Sequence, residues 1–207
     1  MTEVVLAALG NSLRHDDGAG PAVARYALRV AKGTLRTAVV EDNPLRLLEV
    51  FDDVCRAGPD SLLIVVDAIS SGRPPGTVRL IWLGADASTA AAAAAPNASS
   101  THGLGFAQAY RLAGSLGVLP ARVALVGVEG ADFSRGEGLT PEVEAALRPA
   151  ASLVVSLAKA ALCGARPATS GHPLPRDDQH LADHVGFDGL LGGGDLIEWV
   201  TVHRQLS

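Results

Sequence analysis

EVVLAALGNSLRHDDGAGPAVA, residues 3–24, holds the junction on which the reading of the fold turns. Val4 to Leu9 form a continuous apolar run of the kind found in buried parallel strands. A helix-like stretch begins at about Ala19 and reaches Val30, with Pro21 suited to an early helical position. Val23, Tyr26, Ala27 and Val30 recur in it at helical spacing. Between the two lie Asp16 and Asp17, flanked by glycines. A turn built to take phosphate at a helix N-terminus would keep negative charge away, so this turn must hold something else.

The same alternation continues along the chain. Residues 37–41 (TAVVE), 61–66 (SLLIVV), 77–83 (TVRLIWL) and 122–128 (RVALVGV) repeat the buried-strand character. Helix-like segments separate most of them. One runs from about Pro44 to Arg56, with Leu45, Leu48, Phe51 or Asp52, and Cys55 inward. Another runs from about Gly103 to Leu116, with Phe106, Ala109, Ala113 and Leu116 inward. The clearest begins after Thr140, a candidate cap, with Pro141 at the first helical position and Glu142 at the positive end of the dipole. Val143, Leu147, Ala150, Val154, Leu157 and Ala161 follow at gaps of four and three, and Gly164 closes it.

Strands alternating with helices predict an α/β sandwich with a mostly parallel, roughly five-stranded twisted sheet. The loop SSGRPPG is too short for a crossover helix, so strand 77–83 is expected to run antiparallel to the strand before it. Residues 85–100 are low in complexity and broken by Pro96, which suggests a loop with at most one helical turn. The domain is expected to span residues 1–164. Residues 165–207 change composition, rich in Pro, Gly, Asp and His, and are expected to form a flexible tail. The closing IEWVTVHRQL retains the pattern of a strand.

Bulk composition excludes several classes. Of 207 residues, 48% are hydrophobic but only 4% aromatic, so the core must be built mainly from Ala, Val and Leu. A net charge of −5 argues against a general nucleic-acid binder, which needs a basic face. Two cysteines, Cys55 and Cys163, give no disulfide framework or C-x-x-C motif. The N-terminus lacks a signal-peptide pattern and the apolar runs of six to eight residues are too short to span a bilayer. A soluble, cytoplasmic protein with no membrane and no nucleic-acid partner is the expectation.

Ligands of a parallel sheet bind beyond the carboxyl ends of its strands. Asp17 follows the first strand, Asp67 ends LLIVVDA, and His102 lies in SSTHGLG before a helix. If these meet at one edge, two carboxylates and an imidazole suit a divalent transition metal. Each also has a plainer explanation: Asp16 or Asp17 as a helix cap, Asp67 as an organiser of its loop, His102 as a capping or surface residue. Glu129 and Asp132 can line the same cleft, although a solvated loop is the favoured reading. His172, His180 and His184 lie among tail aspartates and are assigned no site. The sequence contains no G-x-S-x-G, no paired reactive Cys and His, and no H-E-x-x-H, so serine, cysteine and ordinary zinc proteases are weak matches.

Three stretches taken together resemble the hydrogenase maturation proteases. They are GNSLRHDDGAGPAVA, LLIVVDAISSGRPPGTVRL, and STHGLGFAQAYRLAGSLGVLPARVALVGVEGADFSRGEGLTPEVEAAL. The resemblance covers about residues 3–162. It implies a three-layer α/β/α sandwich and a monomeric cytoplasmic endopeptidase. Its implied substrate is the precursor of a nickel–iron hydrogenase large subunit, from which it removes a C-terminal peptide.

The family's metal-contacting acidic residues fall on Asp17 and Asp67, which are also the expected catalytic carboxylates, and its histidine falls on His102. Asp16 is a second-rank candidate. The nickel is implied to belong to the precursor, contacted there rather than held permanently by the protease. Two departures stand out. His15 occupies a position usually small or hydroxyl-bearing, where it adds a ligand or faces solvent. A glycine-rich turn common after the second strand reads EDNPLRLLEV here, beside Asp42. The alternatives are a nucleotide- or phosphate-binding α/β domain, disfavoured by the carboxylates, and a non-catalytic chaperone of the precursor, which needs the same ligands.

Overall fold

Every residue of β1 (Val4–Leu9) is buried, because helices cover the strand on both faces. The computed structural model describes residues 2–31, 36–40, 45–83, 106–164 and 197–201. After β1 come a 3-10 turn (His15–Gly18), α1 (Ala19–Ala31), β2 (Arg36–Val40), α2 (Leu45–Ala57), β3 (Leu62–Ile69) and β4 (Val78–Leu83). Then follow α3 (Phe106–Leu116), β5 (Val123–Glu129), α4 (Pro141–Leu162) and β6 (Ile197–Thr201).

The strands form one six-stranded sheet in the order β2-β1-β3-β5-β4-β6. β2, β1, β3 and β5 are mutually parallel. β4 is antiparallel to β5 and parallel to β6. The expected reversal of strand 77–83 is present, but its neighbour is β5, which inserts between it and β3. The sixth strand comes from the segment expected to be a tail: Ile197–Thr201, within IEWVTVHRQL, pairs with β4. The sheet is therefore one strand wider than expected.

Strand alternation divides the core in two. Leu6 and Ala8 of β1, Ile64 and Val66 of β3, and Ala124 and Val126 of β5 face α1 and α4. Val5, Leu63, Val65, Val123 and Leu125 face α2 and α3. This is the three-layer sandwich. The α1–α4 side is built from small residues, among them Ala22, Ala27, Ala146, Ala150 and Ala158, so the helices lie close together. Aromatics concentrate on the other side, where Phe51 of α2 meets Phe106 and Tyr110 of α3 with ring centroids 6.4 and 6.0 Å apart.

Helix positions agree with the periodicity, but several inward faces are rotated. In α1, Val23, Ala24, Ala27 and Ala31 are buried, whereas Tyr26 and Val30 are exposed. In α2 the buried set is Leu47, Val50, Phe51 and Val54, and Asp52 pairs with Arg56 at 2.6 Å on the outer side. In α3, Tyr110 is buried and Leu116 exposed. These helices carry apolar residues on more than one face, so spacing alone does not select the packed stripe. Alanine, the least hydrophobic choice, fills it in α1 because only a small side chain lets the helix approach.

α4 has Thr140 at its N-cap, Pro141 in the first turn and Gly164 just beyond its end. The Thr140 side chain does not cap the helix; it bonds elsewhere, as described below. Among the described residues α4 is the one helix long and apolar enough to cross a bilayer by length and composition, but here its apolar face is buried against α1 and the sheet. At the start of α1, Gly20 passes so near the carbonyl oxygens of Leu9 and Val66 that a Cβ would collide with both. That glycine lets the helix begin directly over the carboxyl ends of β1 and β3. The expected loop at 85–100, the first turn of the helix expected from Gly103, and His102 lie outside the described residues.

Candidate active site at the switch point of the sheet

β1 has β2 on one side and β3 on the other. The chain leaves β1 in one direction and returns on the opposite side, and such a switch point opens a crevice at the carboxyl ends of the two strands. Asp17 lies on the loop leaving β1, and Asp67 near the end of β3. Their strands are hydrogen-bonded neighbours, which brings together residues fifty apart in sequence.

Gly10 begins the first loop with φ of +128°, where a side chain is disfavoured, and a Cβ there would strike the Asp17 carbonyl. The loop thus folds back on itself. The Asn11 N–H donates to Asp17 Oδ2 at 3.0 Å and the Asp17 N–H to Arg14 O at 3.1 Å, which fixes the carboxylate in a tight turn. Asp17 is 3% exposed, and Asp67 is half-buried. Burial pushes the Asp67 carboxyl up to about 8, and the negative charge of Asp17 adds to the rise, opposed in part by the Ala68 N–H. The two carboxyl groups therefore share one electrostatic environment. A cation would relieve their repulsion, and oxygen donors suit a divalent ion.

Among the described residues, no three His, Cys, Asp or Glu side chains cluster closely enough to hold a metal by themselves. The structure brings Asp17 and Asp67 together, while His102 lies outside the described residues. α3 starts four residues after His102, and its C-terminus leads through residues 117–122 to the amino end of β5. Phe106, at its other end, therefore lies toward the carboxyl edge, with its ring packed against Phe51 and Tyr110.

Asp16, the second-rank candidate, is fully buried and its carboxylate is taken up by donors of the protein itself. Its Oδ1 accepts the Thr140 N–H at 2.7 Å. Its Oδ2 accepts the N–H groups of Ala131 and Asp132 at 2.8 and 3.0 Å and the Thr140 hydroxyl at 3.0 Å. Four donors occupy this carboxylate, so it clamps the first loop to the segment before α4. The clamp continues at both sides. The His15 N–H donates to Gly136 O and the Gly136 N–H to Leu13 O, both at 3.0 Å, while Arg14 Nη2 donates to Phe133 O at 3.1 Å. His15 has φ of +45°, and its Nδ1 lies 3.1 Å from Gly138 O. It anchors the loop by packing where Gly136 has no side chain, while 29% of its side chain still faces solvent.

Glu129 overturns the favoured expectation of a solvated loop. It is 1% exposed, and its carboxylate accepts the Ser71 N–H, the Ser71 hydroxyl at 2.8 Å and the Arg73 N–H at 3.2 Å. It thereby shapes the loop that follows Asp67. The signal was present in the sequence: a carboxylate ending an unbroken buried strand must find donors, and SSGR supplies them. Asp132 is exposed as expected, its carboxyl held below the usual range first by the Ser134 N–H and then by the Ser134 side chain.

Comparison with known proteins agrees with this architecture. The family model of the hydrogenase maturation proteases matches residues 44–157, more than half of the chain. The chain belongs to the hydrogenase maturation protease family. It is therefore a peptidase, and the phosphate-binding alternative falls away. The hydrogenase expression/formation protein HupD of Thiocapsa roseopersicina is 26% identical over 221 residues, covering 99% of this chain and 90% of that protein. The solved hydrogenase maturating endopeptidase HybD from E. coli is 26% identical with a TM-score of 0.58, covering 79% of this chain and 94% of that one. HybD from Thermococcus kodakarensis superposes with a TM-score of 0.60 at 24% identity, covering 76% and 99%, and attests the fold. The family match takes in Asp67 and His102; Asp17 precedes it and falls within the span shared with HupD.

Proposed function

We propose that this protein removes the C-terminal peptide from the nickel-loaded precursor of a nickel–iron hydrogenase large subunit. The nickel is part of the substrate, and Asp17, Asp67 and His102 contact it there. The observation that carries this reading is the pairing of Asp17 with Asp67 at the switch point, where burial and the Asp17 charge make a second negative charge costly and Asp67 keeps its proton near neutral pH. A divalent ion arriving there favours release of that proton and a second carboxylate to hold the ion. In this proposal an unloaded client gives the residues nothing to grip, so metal loading gates the cut.

Attack by water on an amide needs a base to take the proton and a group to stabilise the developing oxyanion. Asp17 or Asp67 takes that proton. Asp67 is suited to pass a proton onward, because its pKa of about 8 lies close to neutral pH. Contact with the substrate's metal orients the scissile bond against the two carboxylates. The protein is expected to act in the cytoplasm as a monomer.

The test is mass spectrometry of the hydrogenase large-subunit precursor, nickel-loaded and nickel-free, after mixing with the protein. Loss of a C-terminal peptide from the loaded form alone is expected. Binding without mass loss identifies a chaperone, and equal trimming of both forms removes the gating role of nickel. An Asp67→Ala variant that processes at the normal rate refutes the role assigned to Asp67.

A further inference from the structure

Asn11 organises the first loop through three hydrogen bonds. Its N–H donates to Asp17 Oδ2 at 3.0 Å, its carbonyl accepts the Arg14 N–H at 3.1 Å, and its side-chain Oδ1 accepts the Leu13 N–H at 2.8 Å. The last is the turn that an asparagine closes with the backbone two residues on. Leu13 is therefore tied to the same residue that holds the Asp17 carboxylate. By chain geometry its Cα lies on the order of 10 Å from Asp17 Oδ2. From the other side the Gly136 N–H donates to Leu13 O at 3.0 Å, and Ser12 lies close against Gly18.

Both main-chain polar groups of Leu13 are thus bonded, yet its side chain is 59% exposed. A leucine exposed singly is common on protein surfaces and by itself means little. Its place sets this one apart. Among the described residues, every other exposed large hydrophobic lies on α1, α3 or α4, whereas Leu13 lies on a loop, the one that carries Asp17. The loop's own architecture does not call for leucine: the bonds at this position are made by the backbone, which any residue supplies. Its exposure is no sign of looseness either, because the Asp16 carboxylate fastens the same loop to residues 131–140. An apolar group held in water on an ordered main chain gives up little further freedom when something covers it, so contact there comes at low entropic cost.

We propose that Leu13 is a specificity-determining contact, packing against an apolar side chain of the precursor polypeptide within about three residues of the bond to be cut. That reach is the separation above divided by the rise of an extended chain, about 3.3 Å per residue. The occupant is the precursor because a polypeptide that brings its bond to Asp17 passes beside the residue that Asn11 ties to that carboxylate. The two aspartates and the substrate's metal orient the bond, but every loaded client offers the same metal. A side chain read next to the cut tells one client from another. The inference rests on the function proposed above for the identity of the partner.

The test follows processing of nickel-loaded precursor by Leu13→Ala, Leu13→Asp and Leu13→Met. Leu13→Ala is expected to raise KM about 5- to 30-fold with kcat within about twofold, and Leu13→Asp to raise it further. Leu13→Met, similar in size and polarity, is expected to stay within about threefold of wild type. An unchanged KM in Leu13→Asp overturns the proposal. So does a fall in kcat at unchanged KM, which means that the substitution acts by displacing Asp17. All three variants are expected to melt within about 2 °C of wild type, because the side chain they alter is exposed. A raised KM confined to variants with a lowered melting temperature assigns Leu13 a structural role and overturns the proposal.

The counterpart is found by changing the apolar residues of the precursor near the cut to alanine one at a time. At one position within about three residues of the cut, the loss seen with wild-type protein is expected to shrink with Leu13→Ala; losses that add at every position overturn the proposal. Two other occupants are told apart in the same experiments. A KM lowered by Leu13→Asp shows that a segment of this chain covers Leu13, and a dimer in sedimentation that Leu13→Asp dissociates shows a second copy; either result overturns the proposal. If wild-type protein binds the precursor without cutting it, the peptidase reading fails, while the dissociation constants of wild type and Leu13→Asp still decide the contact. If it cuts and Leu13→Asp cuts with the same KM, the contact alone fails.

Discussion

Thr140 donates both its backbone N–H and its hydroxyl proton to the Asp16 carboxylate, at 2.7 and 3.0 Å, across 124 positions of sequence. With the N–H groups of Ala131 and Asp132, four donors depend on one buried acceptor. Asp16→Ala leaves three backbone N–H groups without it and is expected to cost about 2–4 kcal/mol in urea unfolding. Thr140→Val removes one bond and should cost about 1 kcal/mol. Because Asp17 is the next residue, Asp16→Ala is also expected to lower processing even where the variant is fully folded.

The pH dependence of stability has a definite sign at Asp67. Unfolded, its carboxyl titrates at the ordinary 3.8; folded, at about 8. Between these values the folded chain holds a proton that the unfolded chain has released, so this group makes stability fall as pH rises from about 4 to about 8, with no further change above. Asp67→Asn removes that decline. Urea melts are expected to show the variant gaining on wild type from about pH 5 to pH 8, with the advantage constant beyond.

Asp17→Asn separates the two causes of the raised value. Burial is the larger and the Asp17 charge the second, so carbon NMR of the Asp67 carboxyl should show a midpoint below that of wild type yet above the ordinary aspartate range. An unchanged midpoint would show that the two carboxylates do not sense each other.

Glu129→Gln keeps the shape of the side chain but loses one acceptor oxygen and the charge. The Ser71 and Arg73 N–H groups that now point at Glu129 should exchange with solvent faster, and stability should fall by about 1–3 kcal/mol. Loosening of the loop is expected to be local, leaving exchange in β1 unchanged.

Gly20→Ala tests the close approach of α1 to the strand ends. The added methyl group meets two main-chain oxygens, of Leu9 and Val66, neither on a flexible side chain. A loss of at least about 3 kcal/mol, or failure to yield soluble protein, is expected.

Much of this architecture is legible in the residues themselves. VVLAAL and LLIVVDAI announce central strands because strands covered on both faces have no polar alternation. Asp17 and Asp67 stand out as carboxylates placed where such strands end. What stayed hidden depends on partners distant in sequence. Nothing local says that Asp16 rather than Asp17 is the clamp, since the two are adjacent and chemically identical; the choice is made by donors at 131–140. The buried stripe of α1 is likewise selected by the small residues of α4 and not by hydrophobicity, which favoured Tyr26 and Val30. β5 separates β4 from β3 although it comes later in the chain, an insertion that a short β3–β4 loop does not reveal.

The reach of the Asp16 clamp has a consequence for synthesis. A growing chain emerging from the ribosome presents Asp17 and Asp67 early, before β5 and well before the residues that grip the first loop. A translation product that stops short of Thr140 carries both acidic groups but lacks the donors that grip the first loop beside them, so the loop is set in place only once that later segment has been made.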